Sequence, residues 1–160
     1  MIRTALVGAA VAAILFAPMP SLASVKVRFV NPERYTDAGT FDAGSREATL
    51  AELRAYLERL GERFLAPGEA LMIDVLNVDL AGHREPWRRS FSDVRIMRDV
   101  TPPRIKLRYV LSEKGKRRRS GEQDLTDINY QMNSARASGD RYGYEKALLA
   151  DWFRQNFARR

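Results

Sequence analysis

The stretch NVDLAGHREPWRR, Asn77 to Arg89, sets an aspartate, the only histidine, a glutamate and a tryptophan among arginines at the end of an apolar run. Asp79, His83 and Glu85 are all metal-ligating types, and they fall within seven residues. Zinc sites draw on His, Cys and carboxylate. Yet His83 is the only histidine, and cysteine is absent. Acids and histidines leaving a strand are commonplace, and a tight loop seldom aims three ligands at one point, so no metal is expected. His83 is also the only imidazole base, and no serine stands in a Gly-x-Ser-x-Gly setting. The glycines at Gly39 and Gly44 are spaced wrongly for a phosphate loop and lack its lysine. Paired-carboxylate hydrolysis needs two acids at a defined separation across a cleft. Asp74, Asp79, Glu85, Asp93 and Asp99 are candidates, but nothing in their spacing selects a pair. No catalytic residue and no cofactor are assigned.

Binding fits these residues better. Trp87, between Pro86 and two arginines, either caps the core or stacks on a ligand. Arg95, Arg98, Asp99 and Arg104 follow closely, and their alternation with acids predicts an internal salt-bridge network. The candidate binding set is therefore Asp79, His83, Glu85, Trp87, Arg95, Arg98, Asp99 and Arg104. A second charged feature is Lys114 with Lys116, Arg117, Arg118 and Arg119. Arginine forks bind phosphate bidentately, so Lys116 to Arg119 are candidates for contact with an anionic surface. The competing reading, a solvated hairpin tip that protects an edge strand, is preferred.

Hydrophobic periodicity supplies the elements that must position these side chains. VKVRFV, Val25 to Val30, alternates as a strand. A helix is expected over about Ser45–Phe64, with Leu50, Leu53, Leu57, Leu60 and Phe64 on one face; Thr49 with Glu52 offers a capping box, and Ser45 is an equally good start. Pro67-Gly68 ends it. ALMIDVLNVDL is apolar at nearly every position, the mark of a strand buried on both faces, and Asp74 within it needs a partner. DVRIMRDV is a weaker strand. RIKLRYVL alternates cleanly, with Ile105, Leu107, Tyr109 and Leu111 on one side. A hairpin at Gly115 leads to a polar strand over Arg117–Leu125, and YQMNSARASGDRYG reads as a loop. A final helix over Tyr144–Phe157 carries Leu148, Leu149, Trp152, Phe153 and Phe157. This order predicts an α+β fold, a mostly antiparallel sheet of about four to five strands with both helices on one face.

The ends and the composition bear on location. Ala5 to Ala17 is apolar, Arg3 precedes it, and Ser21-Leu22-Ala23 offers a small-x-small cleavage signal. That is the layout of a secretory leader, and the apolar run is well short of the roughly 20 residues that span a bilayer. A leader over residues 1–23 and a single domain over 24–160 are expected, with no transmembrane segment in the mature chain. The periplasm is the expected address. With no cysteine, thiol redox chemistry, thiolate metal sites and a lipid anchor near the cleavage point are excluded. Loss of Arg3 lowers the formal net charge of +7 by one. A basic exported protein meets lipid headgroups, lipopolysaccharide phosphates and acidic wall polymers. Nucleic acid is not an expected partner.

VNPERYTDAG, VDLAGHREPW, DVRIMRDVTPPRIKLRYVL and YEKALLADWF together resemble the exported Gram-negative proteins of domain of unknown function 3016. The resemblance covers nearly the whole mature chain in order. It departs at Pro102, where the family pattern favours tryptophan, so no aromatic platform is expected there. It implies a leader, one domain and an envelope address, and it implies no activity. The function expected is a periplasmic binding or accessory domain without catalysis, contacting an anionic envelope polymer or an envelope protein. The alternatives are a carboxylate-dependent hydrolase, and a docking subunit using exposed apolar residues such as Val27, Met97 and Val110.

Overall fold

Alternating strands and two well-punctuated helices give the chain its architecture. The computed structural model describes residues 23–38, 43–84, 95–133 and 139–158. Residues 1–22 of the expected leader, together with Glu85, Trp87 and Asp93, lie outside them. The elements are β1 (Ser24–Phe29), α1 (Ala43–Phe64), β2 (Glu69–Asp79), β3 (His83–Arg84), β4 (Arg95–Ile96), β5 (Arg104–Glu113), β6 (Lys116–Thr126) and α2 (Gly143–Phe157). Four strands form one sheet in the order β1-β2-β5-β6, and β3 pairs with β4 in a separate two-stranded ribbon.

The fold is α+β, and its sheet is mixed. β1 runs parallel to β2, whereas β2–β5 and β5–β6 are antiparallel. The parallel pair follows from α1, because a helical crossover returns the chain in its starting direction. β2 occupies the interior of the sheet, but it is not buried on both faces: Ala70 and Met72 on its outer face are exposed, Met72 to 49%. Leu71, Ile73, Val75 and Val78 are buried with Ile105, Leu107, Tyr109 and Leu111 of β5. Leu50, Leu53, Leu57 and Leu60 of α1 and Leu148, Leu149, Trp152, Phe153 and Phe157 of α2 join the same cluster. The β5–β6 turn has positive φ at both Lys114 (49°) and Gly115 (77°), as a two-residue type I′ hairpin requires. Asp74 gains its partners on the opposite face of the sheet. Arg28 grips it with Nε and Nη2 at 2.8 Å each, and Arg108 reaches it at 3.3 Å.

Two local expectations fail for identifiable reasons. The capping box does not form, because α1 begins at Ala43 and Thr49 lies inside the helix. The Thr49 hydroxyl donates to the Ser45 carbonyl at 2.9 Å and accepts from the Tyr142 hydroxyl at 2.9 Å. Glu52 pairs with Lys146 at 2.7 Å. Both residues tie α1 to the chain around α2 instead. The segment read as a polar loop contains Tyr130, which is fully buried. Its hydroxyl donates to the Arg98 carbonyl at 2.8 Å, and its ring meets Tyr144 edge-on. A buried tyrosine needs such a partner for its hydroxyl.

Gly61 is where α1 crosses β1 most closely: a Cβ there would overlap the Val25 side chain. Alanine would ordinarily favour a helix over glycine by about 1 kcal/mol, while overpacking costs about 1–3 kcal/mol. Gly61→Ala is expected to lower stability by about 1 kcal/mol in urea unfolding, and adding Val25→Ala should restore it.

Candidate functional site

The site is built from the way β2 ends. Val78 is the last inward side chain of the strand, and Leu80 and Ala81 stay buried after it. Gly82 then turns the chain with φ +73°, and a Cβ there would stand 2.8 Å from the Ile96 carbonyl oxygen. Buried backbone groups beyond a strand need new partners. Arg95, at the start of β4, supplies them. Its Nη2 donates to the carbonyls of Leu80 (2.9 Å) and Gly82 (2.8 Å), and its Nε to that of Ala81 (2.8 Å). Nη2 also meets the Asp37 carboxylate at 2.7 Å, so its two hydrogens are shared among three acceptors. The side chains of Arg95 and Asp37 are only 11% and 16% exposed.

The same exit is held from two further sides. Glu145, in the first turn of α2, accepts the Ala81 N–H at 2.6 Å. Burial pushes its carboxyl above the usual range, and the Ala81 N–H opposes that shift. The Asp37 backbone donates to Val78 (3.0 Å) and accepts from Leu80 (3.2 Å), extending the sheet locally. Tyr35 anchors this segment by donating its hydroxyl to the Val75 carbonyl at 2.6 Å, and burial pushes the phenol up to about 12.

Against this frame lies a hollow of about 290 Å³, lined by Thr36, Asp79, His83, Thr101, Pro102 and Arg104 among others. Asp79 and Arg104 are register partners on β2 and β5. The Asp79 carboxyl is held above the usual range, by burial first and then by the charge of Asp37, while Arg104, Arg95 and His83 oppose the shift. The side chains of Asp79, His83 and Arg104 make no hydrogen bond or close ion pair with another described residue. Three polar side chains thus line one hollow with their hydrogen-bonding capacity open.

The other sequence candidates separate by role. Arg95 is structural, its Nε and Nη2 taken up by main chain and by Asp37. Arg98 and Asp99 are exposed and do not line the hollow. The Arg98 carbonyl accepts from Thr101 and Tyr130, which fixes the turn carrying Thr101. Glu85 and Trp87 are outside the described residues. In the basic cluster, Arg118 is bound to Glu113 at 2.7 Å. Arg119 donates to the Asn156 carbonyl and stacks over Phe157. Only Lys116 and Arg117 of the four meet no described partner.

Sequence reasoning missed Asp37 and Glu145. Asp37 is far from Arg95 in sequence and carried no local signal. Glu145 did carry one: it falls three and four residues before Leu148 and Leu149, on the apolar face of α2. Among the described residues no group of three His, Asp or Glu side chains is placed to hold a metal.

Residues 23–155, which take in the clamp and the hollow, match the family described as protein of unknown function (DUF3016). The chain belongs to the DUF3016 family. No curated protein and no solved structure matches it. Among the described residues of this DUF3016 protein, no helix is long and apolar enough to cross a membrane.

Two outcomes test the clamp. Lysine keeps the charge of Arg95 but lacks its fork, so Arg95→Lys strands buried carbonyls; a loss of about 2–4 kcal/mol is expected in chemical unfolding. Glu145 has a raised folded pKa, so the unfolded chain gives up this proton first as pH rises. Its favourable contribution is complete below the ordinary value of 4.5 and is lost as pH climbs through the folded value. The stability of Glu145→Gln relative to wild type should therefore increase from pH 4 to pH 7, read as thermal midpoints across that range.

Proposed function

We propose that this chain is a non-catalytic binding domain of the bacterial cell envelope, exported by a cleavable leader. Its hollow seats an anionic, hydroxyl-bearing group of an envelope polymer. The observation that carries this reading is the convergence of Asp79, His83 and Arg104 on one hollow, with none of them engaged by a described residue. Arg104 offers a fork for a phosphate or carboxylate. Asp79 accepts a hydrogen bond from a hydroxyl of the same group.

The arrangement favours holding over reacting. Of the acids considered for paired-carboxylate chemistry, Asp79 is the one described residue that lines the hollow. Asp74 is on the outer sheet face under Arg28 and Arg108, and Asp99 is exposed on a turn. Asp37, the nearest second acid, is occupied by Arg95. A docking role has slighter support. Met72, half exposed, neighbours Val110 on the outer face, but Val27 packs against the core.

Sedimentation of Ser24–Arg160 with lipopolysaccharide, phospholipid vesicles or cell wall, at low and high salt, tests the reading. Binding to a saccharide-bearing polyanion that weakens with salt is expected. Arg104→Ala should reduce it at least about tenfold, the scale of one charge-assisted contact of about 1.5–3 kcal/mol. Lys116→Ala with Arg117→Ala should leave it nearly unchanged. Asp79→Asn should weaken binding yet raise stability at pH 7, because it removes a carboxylate that the fold disfavours in its charged form. Full binding by Arg104→Ala would sink the proposal.

A further inference from the structure

We infer that two copies of this chain pair antiparallel through β6, across a two-fold axis at the middle of that strand. β6 is the last strand of the sheet, 11 residues long, and among the described residues it pairs with β5 alone. Such an edge presents N–H and C=O groups on alternate residues to any incoming strand. Charged residues on an edge ordinarily repel other chains. Here the charges are sorted along the strand rather than mixed.

Lys116, Arg117, Arg118 and Arg119 fill the first part of β6; Glu122 and Asp124 fall in the second, with Asp127 just beyond. A parallel second copy would lay cations on cations. An antiparallel copy lays the basic part of each strand along the acidic part of the other. A two-fold axis perpendicular to the sheet pairs residues of equal parity, which keeps each side chain on its own face. Centred on Gly121, it sets Ser120 of one copy opposite Glu122 of the other; past the bulge, Arg118 and Lys116 fall alongside Asp124 and Asp127.

Arg118, Arg119 and Glu122 have partners within one copy, but the side chains of Lys116, Arg117 and Asp124 make no hydrogen bond or ion pair with a described residue. Beside the acidic end, between β6 and α2, lies a hollow of about 460 Å³ whose lining includes Asp124, Asp127 and Asp151. It is placed to receive the long basic side chains of a second copy. A bulge interrupts the basic end, where Arg117 and Arg119 pair with Ser112 and Leu111 and Arg118 is the extra residue. Bulges twist an edge, so the regular ladder covers the middle of the contact and charge holds its ends. Thr126 pairs with Arg104, and strands are about 4.8 Å apart. The second copy's basic end therefore arrives about 10 Å from the main chain of Arg104, at the rim of the proposed binding hollow.

Sedimentation velocity of the purified protein, with a charge exchange between copies, tests this pairing. Wild type is expected to form a dimer at low salt that dissociates as salt rises. Asp124→Lys alone should weaken the dimer at least tenfold, since the introduced lysine then faces a basic end at both ends of the contact. Lys116→Glu with Arg117→Glu should do the same with acids. Mixed in equal amounts, the two variants form a heterodimer with complementary charge at both ends, so pairing should return to the wild-type level. Circular dichroism matching wild type establishes that each variant is folded. A wild-type protein that stays monomeric to hundreds of micromolar overturns the inference. So does a single variant that dimerises as well as wild type, or a mixture that fails to recover.

Discussion

The Arg95 guanidinium under the carbonyls of Leu80, Ala81 and Gly82 is the interaction on which the candidate site depends. Past the end of β2 the main chain stays buried and Asp37 and Thr101 take up only part of its bonding, and a buried carbonyl left alone costs about 1–3 kcal/mol. Arginine is suited to this task because its planar fork presents several donors in fixed directions. Asp37 balances the charge, and Glu145 takes the one N–H that a cation could not. The clamp joins three parts of the chain that meet nowhere in sequence: the segment before α1, the β3–β4 ribbon and the first turn of α2. It also fixes where Asp79, His83 and Arg104 stand, since they flank the same exit.

Titration divides the acids into two opposed groups. Arg28 holds Asp74 below the usual carboxylate range, and Lys146 does the same for Asp140. Such acids favour the fold above their ordinary pKa, and that support is lost as pH falls. Glu145 and Asp79 are shifted upward by burial and favour the fold at lower pH. The first group ties strands together across the outer sheet face, or fastens the segment before α2 to that helix. The second lies at the strand exit, where a charge left partly unsolvated is a cost that scaffolding alone would not require. Glu145 has a structural return in the Ala81 N–H, whereas the Asp79 side chain has no hydrogen bond among the described residues.

Much of the fold was legible because burial and period coincide. β5 alternates without a fault and α2 repeats its apolar side chains at three and four, whereas the unbroken apolar run of β2 overstated its burial, since Met72 lies half exposed on the outer face. The mixed sheet was less legible, because a six-residue strand such as β1 carries no local sign of whether its neighbour runs parallel or antiparallel. At the site, Asp79, His83 and Arg104 were readable as polar residues around a strand end. Asp37 was not, because a long-range ion pair leaves no spacing to detect. Thr49 and Glu52 misled for a related reason: their local capping pattern gave way to partners near and on α2, a tertiary contact overriding a sequence motif.

The arginines show how a basic composition can mislead about function. Arg28, Arg95, Arg108, Arg118 and Arg119 all bind acids or carbonyls of their own chain. Net charge counts every one of them, yet an external anion can recruit only those that the fold leaves open. By that criterion the candidate cations left open fall in two places with different surroundings. Arg104 stands in a concave site beside a half-buried acid and a histidine, which suits a small, shaped group. Lys116 and Arg117 stand on an extended edge whose other end is acidic, which suits a second strand. Each place can engage a partner without drawing on the residues that hold the strand exit together.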